Sequence, residues 1–134
     1  MAWPTTVELD DLVARFRACT LPKAEWTHAA HLAVGMWHVG EGGPAKALRQ
    51  LRARIRRLND AHGTPNTTTN GYHETVTRAY IALIDEFLSR RPAHEGPAES
   101  AQALLASPVA DRTARTAKRR SAAGWRGGRS GAST

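Results

Sequence analysis

The sequence predicts an all-α protein, an antiparallel four-helix bundle with a short fifth helix and a disordered basic C-terminal tail. Three observations carry this expectation. Apolar residues recur at helical spacing in four segments, Gly and Pro clusters separate those segments, and the chain beyond Ser107 has almost no large apolar side chain apart from Val109 and Trp125. The 134 residues suffice for one domain with a modest core.

The first helix is expected from Val7 to Ala18. Thr5 or Thr6 can cap it, and Glu8, Asp10 and Asp11 suit its positive end. Leu9, Leu12, Val13 and Phe16 share one face. The second helix is expected to start near Leu21 or Pro22, because the missing N–H of proline would be unpaired in a first turn anyway. It runs to Val39 and stops at Gly40-Glu41-Gly42-Gly43. Pro44 opens the third, whose stripe is Leu48, Leu51, Ile55 and Leu58. That helix fades at Ala61-His62-Gly63, and Thr64 to Gly71 reads as a loop of turn and cap residues. The fourth helix runs from Gly71 or Tyr72 to Ser89 with Val76, Tyr80, Leu83, Ile84 and Phe87 inward, and Pro92 stops it. A fifth covers Ala98 to Ala106. The domain is thus residues 1–107, with the tail over 108–134.

Charge follows this division. Residues 1–107 hold 12 Lys and Arg against 11 Asp and Glu, whereas residues 108–134 hold seven basic residues and only Asp111 as an acid. The net charge of +7 is therefore mostly a property of the tail, which makes nucleic acid a candidate partner. On the third helix, Lys46, Arg49, Arg52, Arg54, Arg56 and Arg57 spread around the polar arc; a solvated face and phosphate contact are both readings of it. No apolar run reaches membrane-spanning length, so no membrane partner is expected. The N-terminus lacks a signal-peptide pattern, and Cys19 is the single cysteine, which makes the cytoplasm the expected compartment.

Histidine carries the chemistry. Two motifs stand out, Glu25-Trp26-Thr27-His28-Ala29-Ala30-His31-Leu32 and Gly71-Tyr72-His73-Glu74-Thr75. A helix turns about 100° per residue, which puts His73 on the buried stripe of the fourth helix and Glu74 at its margin. Glu25 falls within about 40° of Leu32, Met36 and Val39 on the second helix, where a carboxylate must be paired, protonated or metal-bound. His28 edges the same arc, while His31 and His38 lie on the more polar side. Glu25 and His28 form Glu-x-x-His, one helical turn apart as in carboxylate-bridged metal bundles, but the third helix offers no acid between Glu41 and Asp60, so a di-iron ligand set is excluded.

A mononuclear site remains, with His28, His31 and His73 as ligands of a divalent zinc or iron ion. Glu25 would be ligand or general base, and Tyr72, Thr77 or Arg52 would orient a small-molecule substrate. Two other readings stand beside this enzyme. In one, the chain is a non-catalytic helical interaction protein whose histidines are structural. In the other, it is a nucleic-acid-associated protein using the basic tail. The wide apolar arc of the second helix is buried either within the bundle or at a homodimer seam.

The segments Leu21 to Leu32, Ile55-Arg56-Arg57-Leu58-Asn59 and Gly71 to Thr77 resemble a family of small helical bacterial proteins of unassigned function, over about residues 8–107. The resemblance implies a helical fold and carries no activity to transfer. Members of that family continue with a Tyr-Ser-containing segment, an Arg-Leu-Phe-like stretch and an acidic end. This chain turns instead into Arg112-Thr113-Ala114-Arg115 and Arg126-Gly127-Gly128-Arg129, which reads as an altered terminus. A broader likeness to DinB-type metal-binding bundles is one of architecture alone.

Overall fold

Thr5 and Glu8 set the start of the first helix, α1 (Thr6–Arg17). The Thr5 hydroxyl accepts from the Glu8 N–H (3.2 Å) and the Glu8 carboxylate accepts from the Thr5 N–H (2.9 Å), so two backbone donors without helical partners are satisfied at once. Leu9, Leu12, Val13 and Phe16 are buried, as their spacing predicts. The computed structural model describes residues 2–64 and 72–115, and all regular structure among them is helical.

The second helix starts later than expected. Lys23–Glu25 form one turn of 3-10 helix, and Thr27 caps α2 (His28–Ala61) by accepting from the Ala30 N–H (3.2 Å). A threonine cap satisfies a free N–H, whereas Pro22 in a first turn merely avoids having one. The expected second and third helices are the two halves of α2, residues 28–42 and 44–61. The break between them is at Gly43 (φ 84°, ψ 170°), where Pro44 cannot donate to the preceding turn and glycine takes a backbone conformation nearly closed to other residues.

α3 (Glu74–Ser89) follows with His73 as its N-cap residue, and α4 (Pro97–Leu105) begins after Gly96, whose N–H is accepted by Glu99 (3.1 Å). The 28–42 half of α2 is the centre of the molecule. Ala30, Leu32, Ala33, Val34, Gly35, Met36, His38 and Val39 are all buried, and α2 packs on α1, α3 and α4. Most of the wide apolar arc is thus buried within this chain, with Trp26 and Trp37 half-buried at its edge. Phe16, Leu32, Met36, Leu58, Ile84 and Leu104 are fully buried, each contributing roughly 1.5–3 kcal/mol of hydrophobic stabilisation. Gly35 lets α3 approach closely, since an added Cβ would stand 3.2 Å from the Ile84 Cδ1.

Helical structure continues past the expected boundary at 107/108. Residues 108–115 are helical, and Thr113 is fully buried. A polar side chain becomes a core residue here because it finds hydrogen-bond partners there. The rest of the predicted disordered tail, 116–134, lies outside the described residues. No described helix is long and apolar enough to cross a membrane.

Candidate functional site

The motif histidines point in different directions. His28, the first residue of α2, is half-buried, and its Nε2 lies 3.0 Å from Thr113 Oγ1 and 3.3 Å from the Ala110 carbonyl. A carbonyl only accepts, and the Thr113 hydroxyl donates to the Val109 and Ala110 carbonyls, so the proton sits on Nε2 of His28. The Tyr80 ring meets His28 edge-on, and its hydroxyl donates to the Thr113 carbonyl (3.1 Å). Burial pushes the Tyr80 phenol up to about 12, which keeps it protonated as that donor.

His31 turns the other way. Its Nδ1 donates to the Thr27 carbonyl (2.7 Å) and its ring stacks on Trp26 at 3.7 Å, with Trp26 stacked in turn on Phe16. Loss of water around the ring lowers its pKa to about 4, against the opposing effect of the Thr27 carbonyl. His73 lies at the N-cap of α3, just outside the first turn where the sequence put it. Its carbonyl accepts from the Thr77 N–H (3.0 Å) and hydroxyl (2.9 Å), and its side chain is half-buried.

Glu25 is corrected most. It ends the 3-10 turn instead of lying on the apolar face of α2, and its exposed carboxylate pairs with Arg15 at 3.0 Å. The change of backbone at Trp26 and Thr27 breaks the helical register that Glu-x-x-His requires. Among the described residues no group of three His, Cys, Asp or Glu side chains is arranged to hold a metal ion.

Two of the three residues expected in catalysis do meet, through one the sequence reading set aside. Glu74 accepts from Arg52 in a two-point contact (2.9 and 2.6 Å), from the Tyr72 hydroxyl (2.8 Å) and from Arg78 (2.8 Å). Hydrogen bonds from Arg52, then Tyr72, hold its carboxyl down at about 2, and burial raises the Tyr72 phenol. Arg56 lies over the Tyr72 ring at 5.1 Å. This is a clamp between the second half of α2 and the start of α3, and its polar groups are turned on one another.

His38 also departs from its expected place. Placed by the sequence on the polar side of its helix, it is fully buried. Its Nδ1 donates to the Val34 carbonyl (2.8 Å), which leaves Nε2 to accept from Arg54 Nη1 (2.8 Å). The signal was present in the sequence. Residues 26–40 contain no Asp, Glu, Lys or Arg, as expected of a helix buried all round. A cavity of about 290 Å³ lies beside this helix, lined in part by Met36, Trp37, Leu88, Arg91 and Glu95. Arg91 and Glu95 in its wall pair with each other in a two-point contact, Ser100 donates to the same carboxylate, and Glu41 stands at the wall as a second acid.

Comparison with family models, with curated proteins and with solved structures finds no match to this chain.

Proposed function

We propose that this chain is a non-catalytic helical binding protein, an antiparallel bundle whose histidines are structural cross-links. The observation that carries this reading is the engagement of His28, whose Nε2–H is directed to Thr113 Oγ1 and the Ala110 carbonyl. A metal ligand at that nitrogen must be unprotonated and aimed at the ion. His31, His38 and His62 support the same reading. Each bonds a backbone carbonyl, at Thr27, Val34 and Leu21 respectively: His31 at the N-cap of α2, His38 one turn back in its own helix, and His62 across to Leu21. Arg52, Glu74 and Tyr72 then serve as an inter-helix clamp.

Elemental analysis of untagged protein prepared without chelator tests the reading, together with zinc titration of the wild type and of a His28→Ala/His73→Ala variant. The expected result is no stoichiometric zinc or iron in either, with a lowered melting temperature in the variant. About one metal ion per chain, lost in the variant, overturns the reading in favour of a mononuclear metal site with His28 and His73 as ligands.

A further inference from the structure

Three guanidinium groups converge on one concavity with no acid among its lining residues. Arg17 ends α1, and Arg54 and Arg57 stand one turn apart on α2; with Ala14 and Ala18 they line an open concavity of about 410 Å³. The small alanine side chains on the α1 wall leave this space unfilled.

Five other arginines of the described fold are matched by carboxylates. Arg15 pairs with Asp11 and Glu25, Arg52 and Arg78 with Glu74, Arg90 with Glu86, and Arg91 with Glu95. Among the described residues no carboxylate lies within ion-pair distance of Arg17, Arg54 or Arg57. Burial, then the charges of Arg17 and Arg57, push the Arg54 pKa down, a sign of like charges held together without compensation.

Two of the three cations are positioned from behind. Arg54 Nη1 is fixed by His38 Nε2, and the Arg17 guanidinium lies 5.9 Å from the centre of the Trp37 ring. Trp37 and His38 are neighbours in α2 with rings meeting edge-on at 5.0 Å, so two arginines from different helices rest on adjacent aromatic residues. Three carbonyls of the last turn of α1 are engaged in hydrogen bonds. Those of Ala14, Phe16 and Arg15 accept from the N–H groups of Ala18, Cys19 and Thr20.

We infer that the concavity formed by Arg17, Arg54 and Arg57 binds the phosphoryl group of a small molecule. A single arginine fork satisfies a carboxylate, whereas a dianionic phosphoryl group with three terminal oxygens has acceptors for three forks. The recessed position between two helices suits a terminal group better than a continuous nucleic-acid backbone, which needs an extended basic track. The assignment shares His38 with the histidine cross-links, through its bond to Arg54, and uses none of His28, His31 or His73.

The test is calorimetric titration of the full chain with inorganic phosphate and with phenyl phosphate, at fixed ionic strength set by sodium chloride. Saturable binding is expected, weakened about tenfold or more by Arg54→Gln and by Arg57→Gln. Arg49→Gln, an exposed arginine outside the concavity, should leave it unchanged. Arg57 is exposed and makes no ion pair among the described residues, so its variant keeps the test valid if loss of the His38 contact unfolds the other; circular dichroism checks both. Absence of saturable binding to either compound overturns the proposal, as does equal affinity in the Arg57→Gln variant. So does tight, salt-sensitive binding of a DNA duplex that Arg54→Gln and Arg57→Gln weaken and phenyl phosphate does not displace, which assigns the arginines to nucleic acid instead.

Discussion

Arg54 donates a hydrogen bond to Nε2 of His38 across 2.8 Å, from a half-buried guanidinium to a fully buried imidazole. The contact fixes the histidine as neutral. Nδ1 carries the proton to the Val34 carbonyl, and a second proton on Nε2 would face Arg54 head-on. Burial first, and the charges of Arg54 and Arg17 after it, depress the His38 pKa to about 4, against a partial rise from the Val34 carbonyl. A core residue therefore links the packing of α2 to the arrangement of two surface cations.

Stability should fall on acidification before carboxylates titrate fully. His38 takes its proton at about 4 in the fold and at 6.5 in an open chain, so the unfolded state binds it first. The contribution is complete above pH 6.5 and is lost as pH falls to about 4; His31 adds an effect of the same sign. The loss is about 3 kcal/mol for His38. Urea unfolding at neutral pH and at two acidic points measures it. His38→Gln should start less stable and show a shallower decline; an unchanged slope would mean that His38 is not the titrating group.

The contact between His28 and Thr113 should show as coupling. Thr113→Val keeps shape but removes the hydroxyl that receives the His28 Nε2–H, and His28→Ala removes the donor. Each is expected to cost about 1–2 kcal/mol, with a coupling energy of about 1 kcal/mol in a double-mutant cycle read by denaturant unfolding. Strictly additive effects would detach residues 108–115 from the fold.

What the sequence made legible was the packing side of this protein. The α1 stripe from Leu9 to Phe16 and the interruption around Gly43-Pro44 follow from periodicity and backbone chemistry alone. The site was less legible because it depends on where helices start. Moving the α2 cap from the Pro22 region to Thr27 takes Glu25 off the helix, and with it the Glu-x-x-His geometry. Likewise, a wheel drawn for residues near Val39 assigns His38 a polar side, but a helix surrounded by α1, α3 and α4 has none there. Thr113 lies in a largely polar segment that Val109 and Ala110 help to pack against the core, and its own burial depends on its fit to His28 and Tyr80, a pairing that periodicity does not encode.

Gly43 and Gly40 should respond oppositely to the same substitution. Both have open space where a Cβ would go, so sterics with neighbours do not distinguish them. Gly43 sits at φ 84°, ψ 170°, whereas Gly40 lies within the regular helical stretch of α2. Gly43→Ala should cost about 1–3 kcal/mol and Gly40→Ala should stabilise by about 0.5–1 kcal/mol, both read from urea midpoints. Equal effects would show that the break at Gly43 is not maintained in solution.

Glu74 offers the last test, because its role is electrostatic and its charge is exposed enough to be screened. Arg52, Arg78 and the Tyr72 hydroxyl all donate to one carboxylate, and its pKa is depressed from 4.5 to about 2. The depressed value means that the unfolded chain protonates first. Its contribution is present above pH 4.5 and is lost as pH falls through about 2. Glu74→Gln keeps an acceptor for Tyr72 but leaves Arg52 and Arg78 without their anion, so its melting temperature should drop by a few degrees at neutral pH. The gap should narrow as salt screens the pair, and should close near pH 2, where the wild type is itself protonated. A general base would behave differently: its loss would abolish an activity while hardly moving the melting curve. A neutral Glu74→Gln melting curve would therefore remove the clamp reading of Arg52, Glu74 and Tyr72 and return these residues to candidacy for substrate contact.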